Sequence, residues 1–197
     1  MDHSISYYNK NANDFFERTA YVDLQDIYDD FLPFLPSKAH ILDLGCGSGR
    51  DSSYFKLQGF DVTALDASEE LVKLASSHIG QEVLLMNFQD LDFQDTFDAV
   101  WANASLLHVS YKDLKNILEK IYTSLKKEGI FYASFKYGDK NRSVGGREFY
   151  DMNEHLIELY LPPLFDLLDV KKSKDTRSQV VPSPDNAWLH VWCKKRS

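Results

Sequence analysis

Hydrophobic and polar positions follow two alternating patterns along this 197-residue chain. Short apolar runs, typical of buried strands, are followed by segments whose apolar residues recur every three or four positions, as on one face of a helix. The strand-like runs are residues 40–44, 60–65, 82–86, 97–101, 130–135, 167–172 and 188–193. This alternation predicts a mostly parallel sheet with helices on both faces, a doubly wound α/β fold. The last two runs have no helix between them, which predicts an antiparallel edge.

The predicted helices have recognisable ends. Apolar spacing over residues 7–35 stops at Pro33 and Pro36, which indicates an N-terminal helical cap over residues 1–36 before a core over 37–197. Ser68 and Ser110 stand at N-cap positions. The helices expected after the cap cover residues 50–57, 68–80, 110–129 and 153–160, and residues 137–147 are predicted to form a polar loop. At this length we expect a single domain.

Glycines interrupt the chain directly after the first predicted strand, within residues 43–49. Glycine lets the backbone approach a ligand closely and adopt positive φ. The next strand is followed by Asp66, whose carboxylate can accept both hydroxyl hydrogens of a ribose. A glycine turn after a strand, with an acidic residue about twenty positions later, predicts a site for a cofactor that carries adenosine.

Composition narrows the class of protein. Hydrophobic residues make up 44% and charged residues 26%, as in ordinary globular proteins, and no apolar run reaches the ~20 residues of a membrane helix. Residues 1–4 lack the basic-then-apolar pattern of a secretory signal, so we expect a cytoplasmic protein. Two distant cysteines, Cys46 and Cys193, support neither a disulfide framework nor a metal site.

The net charge of -8 disfavours binding to nucleic acid, which depends on neutralising phosphates. Basic residues nevertheless concentrate in the last third of the chain, either as a patch or as solvated side chains. They are Lys136, Arg142, Arg147, Lys171, Lys172, Lys174 and Arg177.

These motifs resemble those of the class I S-adenosylmethionine-dependent methyltransferases. Residues 43–49 are similar to the family's D-x-G-x-G-x-G motif rather than to the G-x-G-x-x-G of dinucleotide dehydrogenases. Residues 97–109 resemble the family's fourth motif, and residues 125–130 resemble its L-K-P-G-G turn with two substitutions. The resemblance implies a Rossmann-like, three-layer αβα fold with seven strands, one of them antiparallel, and S-adenosylmethionine as cofactor. Among subgroups, the chain is most similar to small-molecule and tellurite-resistance-type methyltransferases.

The resemblance also implies which residues hold the cofactor. The glycine loop would contact the methionine part, Asp66 the ribose and Phe88 the adenine face. Asn87 stands where the family usually has Asp, which leaves the contact to the adenine amine open. The residues expected at the cofactor are Tyr8, Arg18, Asp43, Gly45, Cys46, Gly47, Arg50, Asp66, Ala67, Asn87, Phe88, Gln89 and Asn103.

Several of these residues also suit a structural role. Tyr8 and Arg18 fit packing or surface positions, and Phe88 fits a core that follows a strand. Asn103 fits a turn, and Asp43 could satisfy backbone donors of the glycine loop.

Methyl transfer from a sulfonium is an in-line displacement that needs the nucleophile held near the methyl group in a dry pocket, without a metal. His108 lies near the end of the fourth motif and is the candidate catalytic residue, because a pKa near 6.5 lets it accept a proton. It could instead cap a loop or fill a half-buried position. Cations after the fifth strand suggest an anionic acceptor. The residues expected at the acceptor are Lys136, Tyr137, Arg142, Arg147 and Trp188.

The first interpretation is therefore methylation of a small, anionic molecule by a monomer or homodimer, with neither a membrane nor nucleic acid as partner. Methylation of tRNA or protein is an alternative of the same class. A non-catalytic module that binds S-adenosylmethionine is a third. A nicotinamide dehydrogenase conflicts with the glycine spacing and with the absence of sequence for a separate substrate domain.

Overall fold

A computed structural model of the chain describes residues 2–175 and 186–196. Its strands are β1 (His40–Leu44), β2 (Asp61–Asp66), β3 (Leu84–Leu85), β4 (Phe97–Ala102), β5 (Leu125–Lys136), β6 (Asn141–Val144), β7 (Arg147–Tyr150), β8 (Phe165–Lys174) and β9 (Ala187–Lys195). Its helices are α1 (Asp2–Lys10), α2 (Ala12–Thr19), α3 (Gln25–Phe31), α4 (Arg50–Leu57), α5 (Glu69–Ile79), α6 (Tyr111–Ser124) and α7 (Glu154–Tyr160).

Seven strands form one sheet in the order β3-β2-β1-β4-β5-β9-β8. The pairs among β1 to β5 are parallel, and β9 runs antiparallel to both β5 and β8. The predicted Rossmann-like sheet with one antiparallel strand is thereby confirmed. Of the helices in the described part of the chain, none is long and apolar enough to cross a membrane.

The predicted antiparallel edge is confirmed, because the last two strands pair antiparallel at one edge of the sheet. β9 lies inside, and β8 takes the outer position. The reason is burial: β9 places Leu189, Val191 and Cys193 in one core layer and Trp192 in the other, whereas β8 is mostly exposed. A strand that is apolar on both sides needs cover on both faces.

Two core layers cover the sheet. One contains α6 and α7, with Leu114 and Ile157 packed on the strands. The other contains α3 and α4, where Phe31 and Phe55 pack around Trp101. The aromatic packing against Trp101 attaches the N-terminal cap to the sheet, directly beneath the carboxyl ends of the strands.

Three predicted elements differ in detail. The cap is three short helices rather than one continuous region. The helix expected to reach residue 129 ends at Ser124, because Leu125 already pairs with Phe97 and begins β5. The loop expected over residues 137–147 contains the β6–β7 hairpin, whose turn residues Gly145 and Gly146 both have positive φ. Two glycines between short strands are a hairpin signal that the polar composition of the segment obscured.

Candidate functional site

A cavity of about 760 Å³ lies between the N-terminal helices and the carboxyl ends of β1, β2 and β4. In parallel α/β sheets, ligands bind at this edge. Most of the predicted site residues line the cavity. They are Tyr8, Arg18, Gly45, Cys46, Gly47, Arg50, Asp66, Ala67, Phe88, Asn103, His108, Lys136, Arg147 and Trp188.

Three predicted cofactor residues lie outside the cavity lining. Asp43 is buried beneath the glycine loop, where it accepts a hydrogen bond from the Ser52 hydroxyl at 2.6 Å. Asn87 is exposed and donates its side-chain amide to Asp90 at 3.2 Å. Gln89 is exposed as well. The turn after β3 directs Phe88 inward and both of its neighbours toward solvent.

The glycine loop approaches its surroundings closely. Gly45 has a φ of +81°, and a Cβ built there would lie 2.6 Å from Cβ of Ser105 and 3.1 Å from the ring of Phe88. Any side chain at this position would therefore force both neighbours to move. The loop needs glycine here both for its backbone conformation and for space.

Asp66 ends β2 and is held by the loop backbone. One carboxylate oxygen accepts the N–H of Gly47 at 2.9 Å, and the other accepts the N–H of Ser68 at 2.9 Å. Burial raises the pKa of Asp66, although these backbone donors act in the opposite direction. Each carboxylate oxygen retains further lone pairs, and the residue lines the cavity. The carboxylate is thus fixed in place with acceptor capacity left for a ligand.

Hydrogen-bond donors from α3, from α4 and from the end of β4 converge on Asp51, a buried carboxylate in the first turn of α4. It accepts hydrogen bonds from Arg50 and Tyr28, each at 2.6 Å, and from the side chains of Trp101 at 2.8 Å and Asn103 at 3.0 Å. These interactions, with the charge of Arg50 foremost among the favourable ones, hold the pKa of Asp51 below its ordinary value against the effect of burial.

His108 lies in the cavity wall and is hydrogen-bonded through both ring nitrogens. Nδ1 lies 2.6 Å from the backbone carbonyl of Glu148, an acceptor, so Nδ1 carries the hydrogen. Nε2 then accepts from the hydroxyl of Tyr8 at 2.9 Å. Burial lowers the pKa of His108 to about 4, so the ring is neutral at pH 7. Tyr8 belongs to α1 and joins the N-terminal cap to this wall.

Arg147, in β7, provides a cation in the same wall. Its guanidinium lies 4.4 Å from the ring centre of Tyr7 and 5.1 Å from that of Phe149. Its buried Nε has no hydrogen-bond partner within the part of the chain that the structure describes. An unsatisfied buried donor is costly, and one in a cavity wall is available to an acceptor atom of a bound ligand.

The other predicted acceptor residues are held by protein partners. Lys136 is buried in an ion pair with Asp175, with its ammonium 4.2 Å from the ring centre of Trp188. Arg142 binds the carboxylate of Asp151 through two nitrogens, at 2.8 and 2.7 Å, outside the cavity lining. The neighbouring Tyr137, also outside it, donates its hydroxyl to Glu154 and packs against the ammonium of Lys172.

Among the remaining basic residues of the last third, Lys171 forms an ion pair with Asp30 at 2.5 Å, and Lys174 lines the cavity. Arg177 lies outside the described residues. Arg18 is exposed at the cavity rim, where its Nε donates to the carbonyl of Asp14 at 3.0 Å.

The cavity fits S-adenosylmethionine on three observations of this structure. Ser105 presents a buried hydroxyl oxygen without a partner among the described residues, and it lines the cavity. Gly45 and Gly47 leave open a cradle that Cβ atoms would narrow. Asp66 offers a fixed carboxylate at the end of β2, where a ribose can be bound.

Comparison with known proteins agrees with this geometry. A family described as a methyltransferase domain matches residues 42–133. An uncharacterized methyltransferase from Staphylococcus carnosus is 25% identical over 88% of this chain and 88% of its own length. The chain carries a methyltransferase domain, and it has the fold of solved S-adenosylmethionine-dependent methyltransferases. It is an enzyme, and the fit of its cavity supports S-adenosylmethionine as cofactor; its closeness to tellurite-resistance-type methyltransferases stays a prediction.

Solved structures share the fold of this methyltransferase. A methyltransferase from Methanosarcina mazei has a TM-score of 0.74 at 19% identity, covering 89% of this chain and 99% of that one. The 1,6-didemethyltoxoflavin-N1-methyltransferase of Burkholderia thailandensis was solved with bound 1,6-didemethyltoxoflavin and S-adenosylhomocysteine. It has a TM-score of 0.71 at 24% identity, covering 98% of this chain and 85% of that one.

Sequence reasoning missed several residues of the methyltransferase cavity. Asp51 comes shortly after the glycines, and its position next to Arg50 is the only sequence signal for its buried pair. Ser105 lies within the fourth motif, without any pattern that marks it. Asp175 and His190 come into the cavity only through the pairing of β8 with β9, which local sequence does not reveal.

Proposed function

We propose that this methyltransferase transfers a methyl group to a small, anionic acceptor in the cytoplasm. One observation carries the proposal: Arg147 lies in the cavity wall with an unsatisfied buried nitrogen, close to the hydrogen-bonded pair of His108 and Tyr8. A cation and a proton acceptor side by side suit an acceptor that carries both an anionic group and a nucleophile with a proton to lose.

In this proposal the cofactor lies along the glycine loop. Asp66 accepts hydrogen bonds from the ribose hydroxyls, and Phe88 packs on the adenine. The methionine part is bound by the loop from Gly45 to Gly47, and by Arg50 and Asn103. When bound, S-adenosylmethionine supplies an electrophilic methyl group for in-line displacement. The remaining predicted residues at this end are Tyr8, Arg18, Cys46 and Ala67, which form the rim and walls.

Tyr8 and His108 accept the proton that the acceptor loses. The hydroxyl oxygen of Tyr8 takes the proton from the nucleophile while its own hydrogen passes to Nε2 of His108 along the 2.9 Å hydrogen bond. His108 then carries hydrogens on both nitrogens, with Nδ1–H still bound to Glu148. The transfer leaves Tyr8 neutral and places the positive charge on the imidazole.

Arg147 anchors the anionic group of the acceptor in this proposal, whereas Lys136 acts through its ion pair with Asp175 and shapes the wall together with Trp188. Arg142 and Tyr137 support the hairpin rather than the acceptor, because their described partners lie outside the cavity. In this proposal, Arg147 is therefore the principal cation among the acceptor residues expected from the sequence.

Methylation of tRNA or protein is less well supported. The chain carries a net charge of -8, and Lys171, Arg142 and Lys136 are each engaged in an ion pair. The structural relative from Burkholderia thailandensis was solved with a bound small molecule, 1,6-didemethyltoxoflavin. A comparable small molecule suits a cavity of about 760 Å³ better than a macromolecule does.

A labelled-methyl screen tests the proposal. The protein and radiolabelled S-adenosylmethionine are incubated with small-molecule, tRNA and protein fractions, and we expect label in the small-molecule fraction, retained on an anion-exchange resin. Label confined to tRNA or protein would overturn the proposed acceptor.

A cofactor-site variant provides the control for the screen. Asp66→Asn keeps the shape but loses the charge, so it should weaken binding of S-adenosylhomocysteine by about 10-fold or more in calorimetry, since a hydrogen bond to a charged group contributes roughly 1.5–3 kcal/mol. Unchanged affinity would remove Asp66 from the ribose site.

A further inference from the structure

Within the described residues, four side chains donate five hydrogen bonds to the carboxylate of Asp51. Oδ1 takes the Tyr28 hydroxyl and Nε of Arg50, both at 2.6 Å. Oδ2 takes Nη2 of Arg50 at 3.0 Å, the Trp101 indole at 2.8 Å and the Asn103 amide at 3.0 Å. The acceptor capacity of the buried carboxylate is thus used by donors from the cap, from α4 and from the end of β4.

The partners of Asp51 fall into two groups. Tyr28 and Trp101 are buried in the aromatic core layer and hold the carboxylate from below. Arg50 and Asn103 line the cavity. Asp51 is therefore held in place by core residues, and it in turn fixes the positions of two polar side chains that line the cavity.

The hydrogen bonds to Asp51 orient each cavity residue. Arg50 presents its Nε edge to Asp51 through two of its five N–H groups, which leaves the remaining donors for a planar anion. Asn103 gives its amide to Asp51 and so directs its carbonyl oxygen to the hydroxyl of Ser134 at 2.7 Å. Ser134 in turn accepts the N–H of Ala104, whose φ is +53°, so the backbone after β4 is held in an uncommon conformation.

We propose that Asp51 is a positioning residue for the amino-acid tail of the cofactor: it holds Arg50 toward the tail carboxylate and Asn103 toward the tail ammonium. The inference rests on the proposed placement of the methionine part along the glycine loop. Asp51 itself is not a catalytic residue. Its effect is confined to the tail, because its cavity-facing partners lie at the glycine loop and at the end of β4, whereas Asp66 and Phe88 serve the nucleoside.

Two ligands that differ only by the tail test this inference. S-adenosylhomocysteine carries the amino-acid tail, and 5′-methylthioadenosine has a methyl group in its place. Calorimetry measures the affinity of each for the wild type and for Asp51→Asn, whose amide cannot accept hydrogen bonds on both sides. We expect Asp51→Asn to bind S-adenosylhomocysteine about 10-fold or more weakly, since charge-assisted hydrogen bonds are lost, and to bind 5′-methylthioadenosine as the wild type does.

Tyr28→Phe is the matched control. It removes one hydrogen bond from the same carboxylate on the core side, with Arg50 and Asn103 still bound. We expect Tyr28→Phe to lower the melting temperature without changing the ratio of the two affinities. If the role of Asp51 were only structural, Asp51→Asn would likewise lower the melting temperature and leave the ratio of the two affinities unchanged.

The inference is overturned if the wild type binds both ligands and Asp51→Asn either reduces the two affinities equally or reduces neither of them. A wild type that binds neither ligand overturns the proposed cofactor site together with the inference. If Asp51→Asn does not fold, Arg50→Gln and Asn103→Ala each remove one cavity-facing partner and carry the same expectation of selective loss. Equal loss of both ligands in these two variants also contradicts the positioning role.

Discussion

Replacing Gly45 with alanine should destabilise the enzyme by more than the backbone conformation alone explains. Gly45 has a φ of +81°, and an alanine Cβ would lie 2.6 Å from Cβ of Ser105. A left-handed conformation costs a non-glycine residue roughly 1–2 kcal/mol. The overlap adds about 1–3 kcal/mol, because carbon atoms pack no closer than about 3.5 Å and inserted methyl groups displace their neighbours. We expect a total loss of about 2–5 kcal/mol.

Gly80→Ala is the control for the backbone conformation. Gly80 has a φ of +68° and nothing within 4 Å of an added Cβ, so it should lose only about 1–2 kcal/mol. The free energy of unfolding is measured by urea denaturation of both variants and the wild type. Gly45→Ala should also weaken binding of S-adenosylhomocysteine, since Ser105 and Phe88 line the cavity, whereas Gly80→Ala should not. Equal stability losses in the two variants would refute the close approach of the loop to Ser105.

Three further predictions concern the acceptor end. Tyr8→Phe should lower kcat by about 10-fold or more, because the proton path to His108 is lost, and an unchanged kcat would reject it. Once the screen has identified the acceptor, Arg147→Met should raise the KM for the acceptor. Arg142→Met should leave this KM unchanged and lower stability, since it removes the ion-pair partner of buried Asp151. The reverse result would contradict the role of Arg147 as the anchor of the acceptor. Burial lowers the pKa of His108 and His190 to about 4. Between pH 6.5 and 4 the unfolded chain therefore takes up protons that the folded protein does not. As a result, the free energy of unfolding decreases as pH falls through that range. Carboxyl groups with raised pKa have the opposite effect on stability, so the test compares the slope of unfolding free energy against pH in the wild type and in His190→Gln. The variant should lose up to about 1.4 kcal/mol per pH unit of the fall seen in the wild type, and an unchanged slope would refute this prediction.

The sheet was largely predictable because its signals are local. The strand His40–Leu44 and the helix Arg50–Leu57 have the predicted bounds, and Ser68 caps its helix through a hydrogen bond to the N–H of Leu71. Apolar periodicity failed at Leu125, where residues suited to a helix pair with β4 instead. Strand pairing is a long-range interaction, and it outweighed the local preference.

The proximity of the glycine loop to Asp66 was more predictable from the sequence than the surroundings of the basic residues. The glycine loop and Asp66 lie within about twenty residues of each other and are joined by one βαβ unit, so their proximity follows from the motif. Arg142 and Arg147 are both basic and close in sequence, yet only Arg147 lines the cavity, because the hairpin turns Arg142 toward Asp151. The sign of a charge is visible in the sequence, but its partner is not.

By itself, the amino-acid sequence determined the alternation of strands and helices, the glycine turn and the acidic residue that follows it, since each depends on neighbours within one or two elements. Only the tertiary structure decided that Tyr8 bonds to His108, a hundred residues away, and that Asp51 gathers donors from three elements. These contacts depend on how the cap and the strand ends are packed together. A side chain's hydrogen-bond partners are set by that packing, which no local pattern encodes.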